Sequence, residues 1–472
     1  MHSHPSQLPP PSPSPIPPTP TYTSPTPTPP TTITSLPSEI LTQIFDAASD
    51  EDIIFQPGLC TSLAESVWYK SKLFSTNINE GGSRGDGRER WSGEWRLRSP
   101  QEAMNMIQRR AGVTKLSIIL TCKQWNTTGA QFLYRCLHFS SPHKMVSLAR
   151  HLTATLQSSP TSTITRTHGW WTRRIHIARY TTPSTSITVS EMEHALITII
   201  NHCPNLDILV AERPLGSAFG PVISTIATVS TLRTLHCAIP GEALKKILLA
   251  FASLPNLTNA FVDFSTPVNS TQEIAYLGAS NISLKMAELE QLQLRGYMAE
   301  FIDIASGWEM PKLRAVTMDG GTVRDRESVG DVVAFLETHG QGLVFLDMNF
   351  EQGVDVARVL EVCAGLRTFC FNVDWRLATQ PQVQAQMGMP MGGYGGYATI
   401  STLTKMPHRS ITTIGLHGLT HAFGVGVVGS TQHLHPLTSR LIVESNERNI
   451  ASLTKRNFEV LERVRVLGRG LL

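Results

Sequence analysis

Charge is what this chain has least of. Only 16% of its 472 residues are Asp, Glu, Lys or Arg, and 40 basic residues against 37 acidic ones leave a formal net charge of +3. A protein that coats nucleic acid needs a concentrated basic surface, and this balance supplies none. The seven cysteines include no C-x-x-C pair, which removes both a disulfide framework and a zinc ribbon. No apolar run approaches the eighteen or so residues of a membrane-spanning helix. The longest, around Ile247–Leu254 and Leu196–Ile200, break off early. The first residues lack the charged-then-apolar layout of a secretory signal. Together these absences point to a cytoplasmic or nuclear protein with reduced thiols, acting on neither membrane nor nucleic acid.

What is present begins with proline. The first thirty residues hold thirteen, interleaved with Ser and Thr, and offer almost nothing apolar to bury, so residues 1–34 are read as a solvated tail. A helix starts sharply after it. Leu36, Ile40, Leu41, Ile44 and Phe45 wind onto one helical stripe, with Pro37 in the first turn and Glu39 near the positive helix end. From about Asn79 to Pro100 the chain turns polar and glycine-rich, the mark of a loop. Helical pattern resumes at Ser99-Pro100-Gln101-Glu102 and runs through Leu116, Ile119 and Leu120. Trp125, Gly129, Phe132, Leu133 and Cys136 form a second face, and a further helix is expected over Lys144–Gln157.

Beyond residue 170 the pattern changes to a repeat. The unit L-x-x-L-x-L begins at Leu206, Leu232, Leu257, Leu289, Leu313, Leu343, Leu366 and Ile411, at intervals of 26, 25, 32, 24, 30, 23 and 45 residues. Trp171–Ile177 and Leu461–Val466 read as degenerate outer copies. A short strand cannot bury its own apolar face, but parallel strands stacked repeat upon repeat share one core. Helices such as Glu191–His202 and Val332–His339 would cover one side. The spacing falls in or just outside the range of leucine-rich repeats. An ordinary alternating α/β sheet gives similar periodicity, but the constant internal spacing favours a solenoid. The 45-residue interval holds a Met- and Gly-rich insertion near 387–396.

Three blocks of the helical part carry a family resemblance. They are Leu36-Pro37-Ser38-Glu39-Ile40-Leu41-Thr42-Gln43-Ile44-Phe45, then Leu116 through Cys122-Lys123-Gln124-Trp125-Asn126, then Leu133-Tyr134-Arg135-Cys136-Leu137. In this order they resemble an F-box, and the whole layout is similar to F-box proteins of basidiomycete fungi with irregular leucine-rich repeats. The expected fold is α/β: a small all-helical F-box over 35–140, interrupted by an insertion at about 47–110, then an irregular leucine-rich-repeat-like solenoid with a parallel sheet over 141–472. An F-box ordinarily has only a short connection where this chain has 70 residues between Phe45 and Leu116.

The resemblance implies a non-catalytic receptor subunit of a Skp–cullin–F-box ubiquitin ligase. Its F-box would bind a Skp-family adaptor, and through it a cullin, while the repeats bind a substrate protein. Alternatives are an adaptor-bound scaffold or a small-molecule receptor outside any ligase. Adaptor contacts are expected from Leu36, Pro37, Ile40, Leu41, Ile44, Phe45, Leu116, Ile119, Leu120, Trp125 and Leu133, entering a groove as helix-face anchors. About half should instead hold the helices together, with Leu120, Trp125 and Leu133 the foremost internal candidates. A substrate row is expected from polar residues between the strand leucines: Asp207, Arg233, Gln293, Thr317, Asp347 and Thr412.

No catalytic or cofactor constellation stands out. His417 and His421 are four apart but lack the Glu of H-E-x-x-H, and His433-Leu434-His435 is a lone pair. The glycines at 392–396 lack the Lys-Ser/Thr of a phosphate loop. Cys122 and Cys136 read as small apolar residues on helical faces. Neither metal nor cofactor is expected.

Overall fold

The computed structural model describes residues 33, 36–49, 51–56, 58, 59, 61, 63, 68–70, 95–97, 100–157, 168–178, 187–240, 243–264, 283–320, 332–350, 354–373, 406–418, 446, 447 and 449–467. The proline-rich tail apart from Ile33, both glycine-rich stretches, and His421, His433 and His435 lie outside them.

The chain opens with a helical head. Helix α1 (Ser38–Ala48) starts directly after Pro37 and is followed by a single turn, α2 (Glu51–Ile54). Strands β1 (Trp68–Lys70) and β2 (Trp95–Leu97) pair antiparallel. Trp68 and Tyr69 of β1 favour a strand by their aromatic β-propensity. Helix α3 (Pro100–Thr121) is continuous over 22 residues and runs through residue 110, where the expected insertion was to end. Gly112, within it, does not interrupt the helix.

Cys122, in extended conformation (φ −160°, ψ 169°), divides α3 from α4 (Lys123–Arg135). Asn126 Nδ2 donates to the Ile119 carbonyl at 3.1 Å, satisfying one orphan acceptor of the last turn of α3. The core of the head is Leu41, Phe45, Ile118 and Phe132, with Leu36 and Trp125 packed against it. Phe45 meets Trp125 edge-on at 5.0 Å and Phe132 at 6.1 Å, and Arg135 Nη1 pairs with Asp46 Oδ1 at 2.9 Å. The three separated sequence blocks thus close on one another. Gly129 allows α3 and α4 to approach: a Cβ there would stand 2.9 Å from Ile119 Cγ2.

Helix α4 runs straight into strand β3 (Cys136–Phe139) because the backbone turns extended at Cys136. Ten more strands follow. They are β4 (Arg174–Ile177), β5 (Ile208–Ala211), β6 (Thr234–Ala238), β7 (Asn259–Phe264), β8 (Gln291–Gly296), β9 (Ala315–Asp319), β10 (Phe345–Asn349), β11 (Thr368–Asn372), β12 (Thr413–His417) and β13 (Arg463–Val466). All eleven form one sheet in sequence order, every neighbouring pair parallel. The expected boundary at 140/141 is therefore crossed by the sheet, whose first strand grows out of the head.

Helices α5 (Pro142–Gln157), α6 (Val189–Asn201), α7 (Phe219–Ile226), α8 (Leu244–Ala252), α9 (Ala299–Ala305), α10 (Val332–His339) and α11 (Val356–Val362) lie between strands. They share one apolar core with the sheet. All three apolar positions of all eight repeat units are buried, as Leu289, Leu292 and Leu294 illustrate. The logic is local and cumulative: each strand turns alternate side chains to the helices, and the next repeat seals them. Thr188 and Glu191 close a capping box at the start of α6. At the far end of the sheet the seal stops, and Val464 and Val466 remain exposed. Among the described residues no helix is long and apolar enough to cross a membrane.

Candidate functional site

The head leaves apolar side chains uncovered. On α1, Leu41 and Phe45 point into the core while Ile40 and Ile44, one turn apart on the adjacent face, are 41% and 42% exposed. Helix α3 buries a side of mixed polar and apolar residues and exposes an apolar one. At about 100° per residue, Gln108, Ala111, Lys115 and Ile118 fall on its buried side. Met106, Val113, Leu116 and Leu120 fall opposite, with Leu116 48% and Leu120 72% exposed. An apolar stripe shown to water is uncommon, and none of the described residues covers this one.

The residues expected to touch an adaptor divide accordingly. Pro37, Ile40, Ile44, Leu116 and Leu120 are exposed; Leu36, Ile119, Trp125 and Leu133 are half-buried. Leu41 and Phe45 are corrected to core residues, because α4 packs Phe132 and Trp125 over them. Leu120, expected inside, is the most exposed large apolar side chain of α1 or α3. Val113 was not singled out by sequence. Its spacing of three and seven from Leu116 and Leu120 was the available signal.

The second surface is the inner face of the sheet, turned away from α5–α11. The six residues expected to line it do not form one row. Gln293, Thr317 and Asp347 share a register position across β8, β9 and β10. Asp207, Arg233 and Thr412 sit one residue ahead of their strands, at the sheet's rim, where Asp207 Oδ2 accepts from Arg173 Nη2 at 2.7 Å. Nor is the shared row open: Gln293 and Asp347 are buried, and His417 Nε2 bonds Asp347 Oδ1 at 2.7 Å. His417 is thereby spoken for by a carboxylate. Among the described residues no group of three His, Cys, Asp or Glu is placed to hold a metal. Cys122 and Cys136 are half-buried free thiols.

At the head end of this face a polar cluster lies under α3. Glu212, just past β5, accepts at Oε1 from Gln101 Nε2 and Asn105 Nδ2 of α3, and pairs with His176 Nε2 of β4, each at 2.7 Å. Burial pushes its carboxyl up, but hydrogen bonds from His176, Gln101 and Asn105 outweigh that and bring it down to about 2. His138, His176 and His236 occupy one register row. Burial takes His138 down to about 4, aided by His176 and Arg109, and His236 down to about 3. His176 is lowered by burial as well, against the pull of Glu212. The cluster is thus a neutral histidine row holding one ionised carboxylate.

The chain's own insertion also reaches this face. Arg174 Nη1 of β4 donates to the Ile54 carbonyl at 2.7 Å. Gln291 of β8 grips Leu59 twice, its Oε1 accepting from the Leu59 N–H at 2.9 Å and its Nε2 donating to the Leu59 carbonyl at 3.2 Å. Arg465 Nη1 of β13 donates to the Leu63 carbonyl at 2.9 Å. No periodic signal marks residues 51–63, so sequence reasoning passed over them.

No family model and no curated protein matches the sequence. Solved structures that resemble it include a structural-genomics protein from Bacteroides fragilis, 12% identical, with a TM-score of 0.30 over 69% of this chain and 80% of that one. A likeness at that level carries no argument about function.

Proposed function

We propose that this chain is a substrate-receptor subunit of a Skp–cullin–F-box ubiquitin ligase, its head an F-box and its sheet a leucine-rich-repeat-like solenoid. The observation that carries the reading is the division of labour among the motif residues. Phe45, Trp125 and Phe132 interlock and so hold the three helices. Ile40, Ile44, Leu116 and Leu120 then stay in water, as anchors for an adaptor's helical surface. Ubiquitin transfer belongs to the partners recruited, which act by bringing a bound substrate near the charged enzyme.

The test is capture of a Skp-family adaptor by the full chain. Leu116→Asp with Leu120→Asp should reduce capture more than tenfold at unchanged melting temperature, since neither side chain supports the core. Wild-type capture by that variant would refute the F-box reading. Leu36 is a poorer probe, because it packs against the head's core and its loss mixes folding with binding. An adaptor-bound scaffold differs in one respect: a cullin would not co-precipitate.

A further inference from the structure

We infer that the inner face of the sheet is a peptide-binding groove whose partner is a peptide held by its main chain, and that Ile54, Leu59 and Leu63 occupy that groove from within. The inference rests on the sheet being the recognition surface of the proposed receptor, and names both the ligand's chemistry and its internal competitor.

The grip on the insertion is of an unusual kind. Four hydrogen bonds join long side chains of β4, β8 and β13 to backbone groups of Ile54, Leu59 and Leu63. Gln291 closes a two-point pair with one residue's N–H and C=O, as a neighbouring strand would. Such contacts read backbone groups and little of the side chains, as main-chain hydrogen bonds do in peptide recognition. Apolar anchorage is supplied beside them: Ile54 is fully buried, and Phe55 lies under the Arg173 guanidinium at 5.3 Å.

Burial agrees with a chain laid across the strands. Fully extended, the five steps from Ile54 to Leu59 would reach at most about 17 Å, against about 19 Å for four strand spacings, β4 to β8. The path is not straight, since Ile54 ends a helical turn, Phe55 lies in a turn and Gly58 in a bend. The side chains of Arg174 and Gln291 cover the difference. Along this path one register row runs Arg174, Ile208, Thr234, Asn259 and Gln291. All five are less than a tenth exposed, although four are polar. The burial ends at β8, beneath Leu59. The same row continues through Ala315, Phe345, Thr368 and Thr413, all half-exposed, to Arg463, which is exposed. The polar row is buried from β4 to β8, the stretch whose two ends hold Ile54 and Leu59, and less so beyond it.

The probe is a fluorescent peptide of residues 51–63 carrying Cys60→Ser, titrated by anisotropy against the full chain. Ile54→Asp with Leu59→Pro loosens the internal segment without touching the sheet, since proline removes the N–H that Gln291 accepts. The loosened chain should bind the peptide at least tenfold more tightly than the unaltered chain, and Gln291→Ala added to it should weaken binding about tenfold. Equal binding by loosened and unaltered chains, or binding by neither, overturns the inference. Should the double variant fail to melt cooperatively, Leu59→Pro alone repeats the titration. Amide exchange at Leu59 in the unaltered chain decides independently: protection supports a seated segment, and exchange at the unprotected rate overturns it. None of these measurements needs an adaptor, so loss of adaptor capture and loss of peptide binding remain separate results.

Discussion

The head and the inner face of the sheet depart from ordinary solvation in opposite directions. The head holds Ile40, Ile44, Val113, Leu116 and Leu120 in water, while the sheet takes Arg174, Thr234, Asn259, Gln293 and Asp347 out of it. Buried polar groups need partners, and here strand neighbours and the insertion provide them. Exposed apolar stripes need cover, and none of the described residues covers the head's. In the proposed reading, one surface takes a partner from outside and the other is filled from inside.

The largest test of this contrast concerns what each region depends on internally. Phe45→Ala should destabilise the head by about 3–5 kcal/mol and Leu292→Ala the sheet by about 2–5 kcal/mol. Denaturant melts with a probe in each region would report them. Small losses at either site would mean that the region is not built on the core described. Next come the exposed anchors. Ile40→Asp should cost about 2 kcal/mol or more in adaptor binding if it is a hot spot, yet shift stability by no more than about 0.5 kcal/mol. A stability loss as large as the binding loss would move Ile40 into the head's core and erase the contrast.

Acid sharpens the comparison, because the buried titrating cluster belongs to the sheet side. His138, His176 and His236 are held below their ordinary value of 6.5, so the unfolded chain takes up protons first. Their stabilisation is whole above about pH 6.5 and shrinks as pH falls toward 4 and then 3. Glu212, lowered from 4.5 to about 2, adds stability present above pH 4.5 and lost as pH falls toward 2. The denaturation midpoint of the sheet should therefore fall from pH 7 to pH 4, with a flatter profile in His236→Gln. A flat profile in the unaltered chain would place these histidines in water. The smallest effect is expected at the last strand, where Val464→Ala should change stability by less than about 0.5 kcal/mol.

Legibility in the sequence followed the range of the contacts. Every apolar position of the eight repeat units proved buried, and the degenerate copies ending at Ile177 and Val466 proved to be strands. The blocks around Phe45, Trp125 and Leu133 were visible as blocks. Which of their residues faced inward was not: Leu41 and Phe45 share their helix and character with Ile40 and Ile44, and only the direction from which α4 packs separates them. Leu120 was misplaced for the same reason: α3 buries Gln108 and Lys115 while exposing Val113, Leu116 and Leu120, so its polarity does not mark the side that packs. The row proposed for the inner face mixed two register positions, because an offset of one residue is invisible until strands pair.

The sequence by itself determined the repeat, its burial pattern and the three helical blocks, since strand alternation and helical spacing are written within a few residues of each other. Only the tertiary structure decided which helix faces stayed exposed and what lay across the sheet. Gln291 meets Leu59 across 232 positions and Arg465 meets Leu63 across 402. No local period connects residues so far apart; they meet because eleven stacked strands carry them to one face.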